Sequence, residues 1–190
     1  AALTELCAEI AGERDPVTLL QRLCHGVRAL FGARAAVLYL RQDEQGRGPA
    51  CFTSGLAGAT GDHWLSWAQD QAWGTDPTLD ARTVRWSPAR ATADLSDVPW
   101  NYSETPRHAL AAPLTTPDHN LGWLMLLDSV GEHEFSADDE TTLTVHLRQV
   151  SRIYENSSLH QRLHQQVEQL QLEVVVRERT ERLLELEHMV

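Results

Sequence analysis

The chain has 190 residues, 42% of them hydrophobic, enough to bury one sizeable core. Its net charge of −11 and pI near 5.2 argue against nucleic-acid binding, which needs a basic face, and against an anionic membrane surface. No apolar run approaches the roughly 18 residues of a membrane span, and the acidic, amphipathic start AALTELCAEIAGERD does not read as a secretory leader.

Leu3–Gly12 has helical spacing, with Leu3, Leu6, Cys7 and Ile10 on one face. Asp15-Pro16 restarts the chain as a helix N-cap followed by a first-turn proline. Leu19, Leu20, Leu23, Val27, Leu30 and Phe31 continue at helical spacing, and Gly32 suits the C-terminal cap. AAVLYLR (35–41) is too short and too rich in strand formers for a helix, and ACFTS (50–54) is expected to pair back on it as a hairpin across a glycine-bearing turn.

Residues 55–107 form an irregular insert. Within it, 60–72 reads as a helix carrying Trp64, Leu65, Trp67 and Ala68, TVRW (83–86) as a strand, and Pro88–Pro106 as loop. HALAAPL (108–114) and LGWLMLLD (121–128) are two further strands, joined by a turn containing Pro117 and Asp118. From Ser136 to Val190 there is neither proline nor glycine. Ser136 is placed to cap this last helix, with Asp139 three residues on and Asp138, Asp139 and Glu140 loading its positive end. A helix of about 55 residues would rise roughly 80 Å, far beyond the width of such a domain, so its distal half requires a partner helix. The expected architecture is α+β: an antiparallel sheet flanked by helices, with a long C-terminal coiled-coil helix. The expected division is a domain over residues 1–158 and a helix over 159–190 leading to an output domain.

The order of these elements and three local phrases resemble a GAF domain, over roughly residues 3–160. DPVTLLQRLCHGVRALFGARAAVLYL is similar to the opening of that family. TPRHALAAPL followed by LGWLMLLD is similar to its paired strands, and EFSADDETTLTVHLRQVSRIYENSSLHQRL to its closing helix. The resemblance implies a small-molecule sensor of a bacterial signalling protein, whose insert and facing sheet surface enclose the ligand. Phe135, Asp139 and Glu140 match half of a phrase found in cyclic-nucleotide GAF domains, but Asp128 and Ser129 stand in place of its Asn-Lys pair, so that ligand is not implied. No cysteine follows Cys51, which excludes the thioether attachment of bilin-binding relatives before the Pro-Leu strand. The end VRERTERLLELEHMV, with Glu178-Arg179-Thr180, resembles linkers that precede output domains. A diguanylate cyclase is the favoured output and a histidine kinase the alternative.

The aromatic residues concentrate the candidate site. Five of the six tryptophans lie in the insert, Trp64, Trp67, Trp73, Trp86 and Trp100, with Tyr102 close to the last and Trp123 on a strand. They either fill a core poor in regular structure or line an apolar ligand pocket, and the pocket is the favoured reading. Alternation in HALAAPL puts Leu110, Ala112 and Leu114 on one face and Ala109 and Ala111 on the other; in the next strand Trp123, Met125 and Leu127 share a face. The leucine faces suit helix packing. The candidate ligand-binding set is therefore Trp64, Trp67, Trp86, Trp100, Tyr102, Ala109, Ala111, Trp123 and Met125. It names neither ligand nor cofactor.

Other chemistry is weaker. His160 and His164 are one turn apart with no third metal ligand nearby, and His108, the one histidine on a core strand, is a poor candidate for a haem ligand. The three cysteines, Cys7, Cys24 and Cys51, form no CxxC pair and read as reduced thiols of a cytoplasmic protein. A GAF-type methionine-sulfoxide reductase needs redox cysteines around its pocket, where only Cys51 is near the sheet, so the chain is expected not to be an enzyme. In the last helix, Leu163, Val167, Leu170 and Val174 follow coiled-coil spacing. The stripe then shifts to Leu172, Val176, Leu183, Leu186 and Val190, with the change at Val174-Val175-Val176. A parallel homodimer through these helices is expected.

Overall fold

A computed structural model describes residues 8, 10–13, 15–42, 48–56, 61–70, 83–87, 98–99 and 105–187. Its elements are α1 (Pro16–Leu30), β1 (Ala33–Leu40), β2 (Ala50–Ser54), α2 (Gly61–Asp70), β3 (Val84–Trp86), β4 (Ala109–Thr115), β5 (Asn120–Ser129) and α3 (Ala137–Glu187). Of the helix expected before Asp15, Ala8, Ile10 and Ala11 are helical; Leu3–Cys7 and Glu9 lie outside the described residues.

Local chemistry starts and stops these elements as the residues demand. The Thr18 amide and hydroxyl donate to Asp15 Oδ2 at 2.9 and 2.6 Å, and Pro16 occupies the first turn of α1, where a missing N–H costs nothing. Gly32, at φ +58°, ends the helix in the left-handed conformation that a β-carbon would strain. At the start of α3, the Asp139 amide donates to Ser136 Oγ at 3.1 Å, while Asp139 Oδ2 accepts from the Ser136 amide at 2.7 Å. This is a reciprocal capping box with Asp in the place of Glu.

The five strands form one antiparallel sheet in the order β2-β1-β5-β4-β3. Strand β1 is nearly all buried because both sheet faces are covered, which is why it reads as an unbroken apolar run rather than an alternation. One face, formed by Ala36, Leu38, Leu110, Ala112, Leu114, Leu124 and Leu126, packs against Leu19, Leu20, Leu23 and Val27 of α1 and Leu143, Leu147 and Val150 of α3. Each fully buried leucine here contributes roughly 1.5–3 kcal/mol over an exposed one. The other face, formed by Ala35, Val37, Tyr39, Ala109, Ala111, Trp123, Met125 and Leu127, packs against Trp64 and Ala68 of α2, Trp86 and Val98.

Gly122 permits the close approach of β5 to the end of β1, its antiparallel neighbour. At φ +146° its α-carbon lies so close to the backbone of Tyr39 that a β-carbon would collide with the Tyr39 carbonyl.

The chain divides into two compact units, Ala1–Tyr154 and Glu155–Val190. The first contains the sheet and its covering elements. In the second, α3 continues to Glu187, and the apolar side chains from Leu159 to Val176 are 47% to 67% exposed in the single chain. Arg177 and Glu181, which interrupt the first apolar seam, pair with each other at 3.1 Å on the helix surface. Among the described residues, no helix is long and apolar enough to cross a membrane.

Candidate functional site

The insert-side face of the sheet brings together most of the described members of the candidate set. Ala109 and Ala111 of β4 lie beside Met125 and Leu127 of β5, paired Ala111 with Met125 and Ala109 with Leu127. None of these lies under α1 or α3: Leu110, Leu114, Leu124 and Leu126 of the same two strands take that side. The cross-strand partners of the two alanines are thus Leu127 and Met125, not Trp123. Trp123 is flanked by Pro113 on β4 and Tyr39 on β1, because the β4–β5 register places it two residues further along.

The aromatic rings are coupled. Trp123 stacks at a tilt on Tyr39, with centroids 5.5 Å apart, and meets Trp67 edge-on at 6.2 Å. Trp67 meets Trp64 edge-on at 5.4 Å. The two edge-on contacts have the T-shaped geometry that ring quadrupoles favour. Helix α2 presents Trp64 and Trp67 to the sheet because residues three apart share a helix face. Trp64 is fully buried, and among the described residues its indole N–H has no hydrogen-bond acceptor. A buried donor without an acceptor costs on the order of 1–3 kcal/mol, so its presence calls for an explanation. Trp86 is buried in the same cluster from β3. Trp73, Trp100 and Tyr102 lie outside the described residues.

Asp128 and Ser129, at the positions of the Asn-Lys pair of cyclic-nucleotide relatives, are committed to local structure. Asp128 is left-handed at φ +43°, and its Oδ1 accepts from the amides of Arg107 and His108 at 2.8 Å each, holding the entry of β4. Ser129 Oγ accepts from the Gly131 amide at 3.2 Å and contacts the His133 ring.

Two thiols are described. The Cys24 thiol on α1 lies 3.4 and 3.6 Å from the carbonyls of Ala36 and Phe52, which share its single hydrogen. Burial, reinforced by the nearby Cys51, pushes Cys24 up to about 12, and burial alone pushes Cys51 of β2 up to about 12. Cys24 packs in the helix-side core and Cys51 against the insert-side cluster. The thiolate is the reactive form, so both are chemically quiet at neutral pH. Among the described residues no three His, Cys, Asp or Glu side chains gather to hold a metal.

This five-stranded sheet, with helices on both faces and a long C-terminal helix, is the GAF fold. The GAF domain of a phosphoenolpyruvate-protein phosphotransferase from Acinetobacter superposes with a TM-score of 0.61 at 15% identity, over 83% of this chain and 93% of that one. The GAF-B domain of DevS from Mycobacterium smegmatis gives 0.54 at 19% identity, over 78% and 99%. The free methionine-R-sulfoxide reductase of Neisseria meningitidis, solved with its substrate, gives 0.51 at 21% identity, over 84% and 89%. No protein-family model matches the chain, and no curated protein is significantly similar to it.

Proposed function

We propose that this chain is a sensory or regulatory module that binds a small molecule between the insert and the Ala109/Ala111 face of the sheet. The observation that carries this reading is the division of the sheet. One face is sealed by leucines against α1 and α3, while the other combines small residues, stacked aromatics and a Trp64 N–H that has no acceptor among the described residues. That combination suits a largely apolar ligand with an acceptor atom for the Trp64 indole. The regulatory domains among the structural neighbours support a sensory role over an enzymatic one.

In this reading the ligand signal passes along α3 in a parallel homodimer to an output domain, with a diguanylate cyclase favoured over a histidine kinase by the linker-like phrase VRERTERLLELEHMV. The setting is the cytoplasm of a bacterium. A ligand-free dimerisation module is the main alternative.

The test is an absorbance spectrum and mass spectrometry of the purified chain, native and then denatured. A stoichiometric small molecule released on denaturation supports the proposal. An empty chain that gains no thermal stability from a metabolite panel favours the dimerisation module. A second reading follows from the Neisseria neighbour, a reductase of free methionine sulfoxide. Turnover of that substrate with a thiol reductant, lost in Cys51→Ser, would replace the sensor reading; the raised thiols argue against it.

A further inference from the structure

Strand β3 is three residues long and, among the described residues, stands at the edge of the sheet and pairs only with β4. Its pairings are Val84 with Ala111, Arg85 with Leu110 and Trp86 with Ala109, so its neighbours include both small residues of the candidate site. Side chains alternate along a strand. Val84 and Trp86 accordingly join the insert-side cluster.

Thr83 and Arg85 turn the other way, onto the first two turns of α3. Arg85 Nε lies 2.7 Å from Glu140 Oε2, and its Nη1 donates to the Phe135 carbonyl at 3.2 Å. The Glu140 contact is an ion pair by distance, with the N–H off the line to the carboxylate. The Thr83 and Thr144 hydroxyls are 2.6 Å apart. Thr144 spends its single hydroxyl hydrogen on the Glu140 carbonyl at 2.7 Å, so Thr83 is the donor in that pair. Arg85 and Glu140 are both partly shielded from solvent, at 20% and 34% side-chain exposure, which makes the pair stronger than a fully exposed one.

We propose that β3 is the transmission strand of this domain: it reads the packing of the Ala109/Ala111 face through Val84 and Trp86 and passes it to α3 through Arg85–Glu140 and Thr83–Thr144. The identity of the input rests on the ligand reading given above; the mechanical link does not. An edge strand of three residues is the element of this sheet most easily displaced, since β4, β5 and β1 are each held on both sides. Its alternate side chains give one short displacement two readouts. α3 receives it next to its capping box, where the position of the first turn is set.

The test needs no ligand. Ala111→Leu adds bulk to the insert-side face directly opposite Val84 and stands in for occupancy. Amide hydrogen exchange of the full chain is read over residues 137–147 of α3, with α1 as the internal reference for global stability. In the parent background Ala111→Leu is expected to change α3 exchange relative to α1 by on the order of fivefold, the low end of ordinary coupling between sites. In the Thr83→Val/Arg85→Met background the same substitution is expected to change it by less than about twofold, a non-additivity that a merely structural staple would not give. An equal effect in both backgrounds, or none in the parent, overturns the proposal. Trp86→Phe is a second, gentler input read by the same cycle should Ala111→Leu unfold the chain. A chain that carries no ligand but passes this cycle would refute the binding reading and leave the transmission strand standing.

Discussion

Single residues on the insert-side face decide whether it can hold anything. Ala109 is fully buried there between β3 and β5. Replacing it with Leu is expected to cost about 1–3 kcal/mol by overpacking, leave a cooperative thermal transition, and abolish retention of any co-purifying molecule. Calorimetry and mass spectrometry of the same preparation check both halves; unchanged retention would move the site elsewhere. The thiols make a second residue-level prediction. With Cys24 and Cys51 pushed to about 12, each holds about a thousandfold less thiolate at neutral pH than an ordinary cysteine at 9.0. Native alkylation of both should be slow at pH 7.5 and become fast only in denaturant. Rapid native labelling of Cys51 would reopen the redox reading.

At the scale of elements, helix ends carry a pH signature. The Thr18 hydroxyl, and after it the Thr18 amide, hold the Asp15 carboxyl below the usual carboxylate range. A folded value depressed below the unfolded one gives stability that is fully present above the unfolded value and lost as pH falls through the folded one. Asp15→Ala should therefore lower the melting temperature at neutral pH, and the gap from the parent should narrow on acidification below the usual carboxylate range. A gap independent of pH would show that the cap acts through its neutral hydrogen bonds alone. α3 behaves differently along its length. Its first turns are held by the capping box and by the core contacts of Leu143, Leu147 and Val150, whereas beyond Leu159 its apolar side chains face solvent in the single chain.

The whole molecule is predicted to associate. Eight large apolar side chains between Leu159 and Val176 are about half or more exposed, and a lone helix of that composition gains little by staying solvated. Sedimentation of the full chain at tens of micromolar is expected to give a dimer, and Leu163→Glu/Leu170→Glu is expected to weaken it strongly. With −11 on each chain, association should tighten as salt is added. A monomer under all these conditions, or rods paired antiparallel, would remove the basis for relaying a signal to one end.

Much of this architecture is written in local pattern. Asp15-Pro16 and Gly32 bracket α1, the apolar run Ala35–Leu40 marks a strand covered on both sides, and Ser136 with Asp139 starts α3. The two-faced character of β4 is legible in the alternation of Ala109, Leu110, Ala111 and Ala112, because a period of two needs no partner to be read. Other features depend on which distant residues the fold brings together. Trp123 keeps company with Tyr39 and Trp67 rather than with Ala109 because of strand register, and a slip of one residue would have turned it to the opposite face. Asp128 reaches back to Arg107 and His108, Gly122 is required by the approach of the Tyr39 backbone, and Thr83 meets Thr144 from 61 residues away. Periodicity and capping arise from interactions within a few residues, so they survive in the bare sequence. Contacts across the sheet exist only once its register and strand order have been set, and that is where the wall of the candidate site and its link to α3 were decided.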